Sequence, residues 1–497
     1  MSWKLVGVGM VAGSIWLTIP TAVHARTWHV TSDGTGDAPT IQAGIDSAQA
    51  GDEVLVGPGS YTWTSEGASG MSMLRLKAGV LLLSEGGSEA TILDAESRGR
   101  VANADVAGHV TIRGFTLQRG LVEVARDFAG GAAVRAINGV VLEMSDCKLQ
   151  DNQTTSPILA TDARGGAVYC ERASFEGCQF SRNEVSPGSQ GSAQGGGIFA
   201  QFASVSGCTF TANRANYGQS PAQGGAIQAD SLTLVDTDFD GNVAYCSYGD
   251  AFGGAVCSQG PVVVTRCDFT GNSTQGWYGG YRSQGGALRA GTGGVTIQDC
   301  VFNGNAASGD PDYLCSGGAV YSEGAATIRG SVFVRNHASE GGGWSYGWGG
   351  AICCGDGSLV ERCTLIGNWA GGADLGGGGG HIPGTGGIVI GGNVRQSIVM
   401  STGGETAKGG VWSCCDCFDN EFTDPIPGTG NFSADPGFCD ADPSASGNYT
   451  LHSNSPCAPG QHPPGSESCE LIGAAGVGCE STAIKRTKWS DTKRLFR

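Results

Sequence analysis

Acidic side chains recur at one phase of a repeat in the middle of this 497-residue sequence. Asp236 and Asp238 alternate with other residues, and Asp299 and Asp268 occupy matching positions in later repeats. Alternation predicts one face of a strand, and stacked strands lie about 4.8 Å apart, so these carboxylates would be close neighbours. Arg266 falls between Asp236 and Asp299 in the same column. Carboxylates at this spacing can hold calcium or act as an acid and base pair.

Two interpretations of this acidic face stay open. In the first, Asp236, Asp238 and Asp268 bind calcium or, together with Asp299 and Arg266, cleave an acidic polysaccharide as a lyase or glycoside hydrolase does. In the second, the face is a solvated strand surface with ordinary charge pairing. The sequence implies no organic cofactor, and calcium is the ion that this face is suited to hold.

Aromatic residues concentrate in the loops of the same repeats. Loops at one phase of a repeat emerge along one side of a solenoid, so these residues would form an aromatic ridge. Exposed rings stack on sugar faces or bury against a protein partner, although they can also fold back and cover their own coil. The ridge comprises Tyr217, Tyr245, Tyr248, Trp277, Tyr278, Tyr281, Tyr313, Trp344, Tyr346 and Trp348.

Two motifs recur in phase every 29 to 33 residues and define the repeat. The first is a Gly-Gly-small-apolar tetrad that begins at Gly165, Gly195, Gly224, Gly253, Gly285, Gly317 and Gly349. The second is Phe-x-x-Asn, which begins at Phe180, Phe210, Phe239, Phe269, Phe302 and Phe333. Glycine supplies 87 residues and charged residues only 15%, a composition that argues against a helical protein and for a turn-rich β architecture.

The repeat predicts an all-β fold, a single-stranded right-handed parallel β-helix of about ten to thirteen coils. One coil of this length cannot bury its own apolar face, whereas stacked coils share a continuous core. The Phe residues and the Cys residues two positions before them should point inward and form ladders. Each Asn should sit in a turn, because Asn tolerates left-handed backbone and its amide can bond to the next Asn. The ladder cysteines are interpreted as packing residues rather than metal or redox ligands.

The paired motifs resemble the repeats of chlamydial polymorphic outer membrane proteins over residues 111–400. That resemblance implies a surface-exposed β-helix with a role in adhesion. Residues 40–61, with Ile41 and Ile45 on one helical face and Thr40 as N-cap, resemble the N-terminal segment of pectin-lyase-like β-helix proteins, where a helix covers the end of the solenoid. The acidic face lacks the paired adjacent Asp and the Gly-His-Gly segment of polygalacturonases and pectate lyases.

The C-terminal region changes composition and is rich in cysteine. Disulfide bonds among these residues predict a stapled cap, and the alternative is a zinc site formed by Cys414, Cys415 or Cys417 with a distant Cys or His452. The cysteines of this region are Cys414, Cys415, Cys417, Cys439, Cys457, Cys469 and Cys479.

Five regions follow from these patterns. We expect a signal peptide at 1–25, an N-terminal cap and first coils at 26–110, repeats at 111–400, last coils and a Cys-rich cap at 401–480, and a basic tail at 481–497. No transmembrane segment is expected after signal removal. The net charge of −17 disfavours nucleic acid as a partner.

These features favour a secreted or cell-surface binding or adhesion protein whose aromatic ridge engages a polysaccharide or a cell-surface partner. The alternative is the polysaccharide lyase or hydrolase described above. A purely structural envelope protein would need neither the aromatic ridge nor the acidic face. An enzyme requires carboxylates with shifted pKa values that converge in a cleft, whereas a binder requires only the exposed ridge.

Overall fold

The chain forms a solenoid in which successive coils stack through parallel β-sheets. The computed structural model describes residues 25–123, 130–156, 162–188, 190–216, 219–276, 282–309, 314–338, 346–371, 373–374, 381–382, 385–400, 405–408, 410–420, 428–440 and 449–479. Four main sheets contain 21, 13, 9 and 9 strands, and we number them sheets 1 to 4 in the order in which a coil passes through them. Pairing within all four is parallel, which confirms the predicted all-β parallel β-helix.

The two larger sheets enclose the main core. Sheet 1 consists of Thr27–Val30, Glu53–Val56, Ser72–Arg75, Leu81–Ser84, Arg100–Ala104, Gly108–Arg113, Val134–Ser145, Val168–Glu176, Ile198–Ser206, Ile227–Val235, Val256–Ser258, Val262–Thr265, Leu288–Ala290, Val295–Gln298, Val320–Ser322, Ala326–Arg329, Ile352–Cys354, Ser358–Glu361, Gly392–Arg395, Trp412–Ser413 and Gly428–Thr429. Sheet 2 consists of Gly59–Thr62, Thr91–Asp94, Thr116–Gln118, Lys148–Gln150, Gln179–Ser181, Thr209–Thr211, Asp238–Asp240, Asp268–Thr270, Val301–Asn303, Val332–Val334, Thr364–Ile366, Ile398–Met400 and Asp416–Phe418.

The two smaller sheets form a second lobe of each coil. Sheet 3 consists of Leu121–Glu123, Gln153–Thr155, Glu184–Ser186, Arg214–Asn216, Val243–Cys246, Ser273–Gly276, Ala306–Gly309, His337–Ala338 and Trp369–Ala370. Sheet 4 consists of Ala163–Arg164, Ala193–Gln194, Ala222–Gln223, Ala251–Phe252, Arg282–Gln284, Leu314–Ser316, Tyr346–Trp348, Thr385–Ile390 and Glu405–Lys408. Outside these sheets, Ala373–Asp374 pairs with His381–Ile382, and Leu451–His452 pairs with Val477–Cys479.

The predicted phenylalanine ladder runs through the main core. Six Phe rings from Phe180 to Phe333 stack with centroids 4.6 to 4.9 Å apart and planes within 9° of parallel. The Cys column two residues earlier also points inward, and Cys178, Cys208 and Cys267 are buried thiols. Both ladders arise because each coil repeats its inward positions at the same register, so identical side chains meet between rungs.

The predicted asparagine ladder is present, but its backbone differs from the expectation. Asn242 is fully buried, and its Nδ2 donates to Phe210 O and to Asn272 Oδ1, both at 2.9 Å. The expectation that Asn itself is left-handed is wrong, because the residue before it takes that conformation: Gly241 has φ +61° and Ala212 has φ +53°. The preceding residue makes the corner, which leaves the Asn side chain directed into the coil.

The Gly-Gly pairs form the corner between sheet 4 and sheet 1. Gly224 has φ +65°, a conformation that L side chains rarely adopt. A Cβ atom at Gly225 would lie 2.1 Å from Gly254 O and 2.5 Å from Val243 N, which belongs to sheet 3. The corner therefore presses against the backbone of sheet 3 and divides each coil into two lobes. The smaller lobe has its own apolar cluster, which includes Ala193, Ala215 and Ala222.

One helix, α1 (Ile41–Ser47), lies at the N-terminal end of the described chain. Thr40 is its N-cap, as predicted, and the Thr40 side chain accepts a hydrogen bond from Ala43 N at 3.1 Å. Ile41 and Ile45 are buried in the main core cluster. The helix thus covers the apolar interior of the first coils. None of the helices in the described ranges is long and apolar enough to cross a membrane.

The C-terminal segment, residues 433–440 and 449–479, lies against the outer face of the last strands of sheet 2. Gly473 N donates to Gln396 O at 2.8 Å, and Ala474 N donates to Thr364 Oγ1 at 3.0 Å. An apolar cluster joins the two surfaces and contains Val334, Ile366, Ile398, Met400, Phe438, Tyr449, Leu451, Cys457, Cys469 and Ile472.

Two disulfide bonds staple this segment, which confirms the expected disulfides of the C-terminal region. Cys414 pairs with Cys469 and links the last coils to the segment. Cys439 pairs with Cys479 within the segment. Each bond closes a loop of 40 or 55 residues, so both restrict the unfolded chain.

Candidate functional site

Asp238 and Asp268 are the two acidic residues that the structure brings face to face. Each is the first residue of its strand in sheet 2, and the two are direct register partners in neighbouring coils. Burial raises the pKa of both carboxyls, and the charge of Asp238 raises the pKa of Asp268 further. Both side chains remain solvent-accessible on the outer face. Such a pair can share a proton or a cation.

Asp236, Arg266 and Asp299 form a separate column at the corner between sheets 1 and 2. Their φ angles are +49°, +50° and +54°. The expectation that Asp236 shares a strand with Asp238 is therefore wrong, since one strand ends at Val235 and the next begins at Asp238. The left-handed corner residue interrupts the two-residue alternation on which that expectation rested.

The corner charges are engaged with each other. Arg266 Nε donates to Asp236 Oδ1 at 2.7 Å and a terminal nitrogen donates to Asp236 Oδ2 at 2.8 Å. This pairing lowers the pKa of Asp236 and occupies both of its oxygens, so Asp236 is not available to a cation beside Asp238. Arg182 and Asp151 make the same two bonds at another corner. An Arg–Asp pair joined by two hydrogen bonds thus recurs as a link between neighbouring coils.

Three residues of the aromatic ridge have described side chains. Tyr248 is 49% exposed and Trp348 is 40% exposed, whereas Tyr245 is partly buried on the outer face of sheet 3. For Tyr346 only the backbone is described, in the last-but-two strand of sheet 4. The remaining ridge residues lie outside the described ranges: Tyr217, Trp277, Tyr278, Tyr281, Tyr313 and Trp344.

Tyr245 lines a shallow depression of about 280 Å³ on the outer face of sheet 3, which we call the Tyr245 depression. Its other lining residues are Arg214, Asn216, Val243 and Gln275. They come from three stacked strands, in which Asn216, Tyr245 and Gln275 are register partners. The depression therefore combines one aromatic ring with a guanidinium and two carboxamides. Groups of this kind stack on a sugar ring and bond to its hydroxyls.

The sequence interpretation missed the polar residues of this depression. Arg214 and Val243 each directly follow a ladder Asn, in consecutive coils. Asn216 and Gln275 each lie three positions after a ladder Asn. These are the outward positions of a short strand whose middle residue, such as Ala215 or Ala244, points inward. Counting from each Asn could have found them, whereas the aromatic pattern indicates only the loop that follows this strand.

The cysteines do not form the zinc site considered above. Cys414 is in a disulfide bond, while Cys415 and Cys417 are buried free thiols. Burial raises the pKa of Cys415 to about 12, which opposes the thiolate that zinc requires. Among the described residues, His452 groups instead with Cys439 and Cys479.

A known family accounts for most of the chain. The family described as "Right handed beta helix region" matches residues 101–394. This match spans more than half of the sequence and coincides with the coils that contain the glycine, phenylalanine and asparagine repeats. No curated protein matches the sequence.

Proposed function

This chain belongs to the right-handed β-helix family, and from that premise we propose that it is an exported binding or adhesion protein that engages a glycan. The Tyr245 depression is the contact point that the described residues offer. The fold alone does not select this role, because function resides in sites that a fold displays.

The observation that carries the proposal is the composition of the Tyr245 depression. A ring beside a guanidinium presents an apolar face with directional donors. The Asn216 and Gln275 amides add acceptor oxygens, while each of their nitrogens already donates one hydrogen bond, to Glu184 Oε1 and Ser273 Oγ. Arg214 has no carboxylate within salt-bridge distance in the part of the chain that the structure describes, so its donors are open to a ligand. A shallow site on three stacked strands suits an extended polymer better than an enclosed small molecule.

Two sequence features support export and surface display. Residues 1–25 have the charge and apolar pattern of a secretory signal. The repeats resemble those of chlamydial polymorphic outer membrane proteins, a family that is displayed on the cell surface. The acidic composition favours neutral or cationic glycans and partner proteins over polyanions.

Equilibrium binding to a panel of immobilised polysaccharides tests this proposal. We expect Tyr245→Ala to weaken binding of the glycan about fivefold, because stacking on one aromatic ring is worth on the order of 1 kcal/mol. Phe202→Ala is the matched control, since Phe202 is an exposed aromatic residue on sheet 1 at 45% exposure. Equal loss of binding in both variants, or no loss in Tyr245→Ala, would contradict the proposal.

A second candidate function rests on Asp238 and Asp268. Their raised pKa values and direct register partnership suit an acid and base pair or a shared calcium ion in a polysaccharide lyase or glycoside hydrolase. Arg266 is already paired with Asp236, which leaves this arrangement without the free basic residue that the sequence interpretation assigned. Product release from a polymer distinguishes this function from binding alone.

A further inference from the structure

Three metal-binding side chains meet in the C-terminal segment, outside the sites described above. Cys439, His452 and Cys479 place their sulfur and nitrogen atoms within 4.8 Å of one another. His452 Nδ1 lies 3.1 Å from Cys479 Sγ. The two cysteines are joined as a disulfide, with their Cα atoms 6.1 Å apart. The imidazole therefore stands directly beside the bond.

Backbone hydrogen bonds hold the three residues in place independently of the disulfide. Cys439 N donates to Thr450 O at 2.8 Å, and His452 N donates to Gly437 O at 2.9 Å. Ser453 N donates to Cys479 O at 3.1 Å, and Leu451–His452 pairs in parallel with Val477–Cys479. Opening the disulfide would leave both sulfurs next to the same imidazole.

His452 has a polar atom that the surrounding protein does not satisfy. Its side chain lies in a residue that is only 9% exposed, and its Nε2 has no hydrogen-bond partner among the described residues. With the proton on Nε2, the lone pair of Nδ1, which lies 3.1 Å from Cys479 Sγ, is available to a metal. By contrast, the disulfide-bonded Cys414 and Cys469 belong to no such group of metal-binding side chains among the described residues.

We propose that Cys439, His452 and Cys479 form a Zn²⁺ site when the Cys439–Cys479 disulfide is open. The disulfide and the metal are then alternative ways to link Cys439 to Cys479 within the C-terminal segment. Tetrahedral zinc, with Zn–S bonds of about 2.3 Å, holds two sulfurs about 3.8 Å apart, a separation that a small opening of this pair supplies. Cys439 and Cys479 are partly exposed, which gives the ion an access route and a position for a water ligand.

The chemistry requires a reductant and releases protons. A dithiol supplies two electrons and two protons to the disulfide, becomes a disulfide itself and leaves Cys439 and Cys479 as thiols. Zn²⁺ then displaces both thiol protons, which pass to solvent, and bonds to the two sulfurs and to the lone pair of His452 Nδ1. Water fills the fourth position.

Metal titration of the whole protein tests the site. After reduction under native conditions with a phosphine that does not bind zinc, we expect one Zn²⁺ per chain by competition with a chromophoric chelator. Co²⁺ in its place should give a thiolate-to-metal charge-transfer band. His452→Gln should weaken Zn²⁺ binding by at least about tenfold, since even the loss of a residue behind a ligand costs that much. His452→Gln keeps the four cysteines of both disulfides, so its oxidised form can fold with the same links as the parent protein.

Matched controls separate this site from the other thiols. His462→Gln changes a histidine of the same segment, whose Nδ1 lies 2.9 Å from Pro456 O, and should bind zinc as the parent does. Cys479→Ser should abolish the stoichiometric site, whereas Cys469→Ser should retain it. The proposal is overturned if the reduced protein binds no Zn²⁺, if the pair resists reduction while the chain is folded, or if His452→Gln binds as tightly as His462→Gln.

Discussion

At the residue scale, two sets of buried polar groups show how a solenoid satisfies them, one through the neighbouring coil and one through the C-terminal segment. The Asn ladder is the first case, because an amide such as that of Asn242 bonds both to a carbonyl and to the next Asn. Asp416 is the second case: it is fully buried, with Oδ1 accepting from Ala434 N at 3.0 Å and Oδ2 lying 3.1 Å from Cys457 Sγ. A carboxyl held in this way makes stability depend on pH.

We predict that the attachment of the C-terminal segment to the last coils weakens as the pH rises from about 4 to about 7. Burial raises the pKa of Asp416 to about 7, whereas an unfolded Asp has a pKa of about 3.9. In that window the folded chain retains a proton that the unfolded chain has released, so the free energy of unfolding falls with pH, by on the order of 4 kcal/mol in total. Asp416→Asn should remove most of this slope and stabilise the protein at pH 8 but not at pH 4.

Unfolding midpoints in denaturant between pH 4 and pH 8 measure this effect. Asp356→Asn is the control, because Asp356 is an exposed carboxylate in a turn of the same solenoid. A pH slope that Asp416→Asn leaves unchanged would show that this carboxyl is not the group that titrates.

At the element scale, different corners of each coil contain glycine for different physical reasons. A Cβ at Gly225 would overlap the backbone of the next coil and of sheet 3, whereas a Cβ at Gly241 would meet nothing within 4 Å. Gly241 has φ +61°, and Ala212 takes φ +53° at the equivalent corner one coil earlier. The first glycine is thus required by close packing and the second only by a left-handed turn.

Gly225→Ala should therefore destabilise the protein far more than Gly241→Ala. The overlap at Gly225 is with backbone atoms that no rotamer change can move, so we expect a loss of more than about 3 kcal/mol or a failure to fold. Gly241→Ala places Ala in left-handed backbone, at a cost of about 1 kcal/mol. Denaturant midpoints of the two variants give the comparison, and equal losses would refute the packing role of the tetrad.

The sequence predicted the elements whose side chains repeat between coils. The Phe and Cys ladders follow from the two-residue alternation within a strand, and α1 follows from its cap and apolar face. The corner residues escaped prediction because left-handed backbone appears at Asp, Arg, Ala and Gly alike, as at Asp236, Arg266 and Ala212. For the same reason the prediction joined Asp236 and Asp238 into one strand.

At the scale of the whole molecule, the solenoid separates its candidate sites onto different faces. Asp238 and Asp268 lie on the outer face of sheet 2, along which the C-terminal segment covers only the last strands. The Tyr245 depression lies on sheet 3, in the second lobe. A polymer held on sheet 3 therefore contacts a different surface from the carboxylate pair.

The candidate sites were only partly predictable from the sequence. Asp238 and Asp268 were predicted as neighbours, because the repeat length fixes their register. The partners of Tyr245 were not, since Arg214 and Gln275 come from two other coils and only the stacking of sheet 3 unites them. The grouping of Cys439, His452 and Cys479 was not predicted, because disulfide pairing over 40 and 55 residues is not readable from spacing.

The central claim is that this β-helix holds a glycan without cleaving it. The most direct measurement is the release of new reducing ends or unsaturated uronates from the polysaccharides that the protein retains, with calcium and then with a chelator. We predict retention that depends on Tyr245 and no product under either condition. Product that disappears in Asp238→Asn, while Tyr245→Ala still releases it, would contradict this account and place a catalytic site on the acidic face of sheet 2.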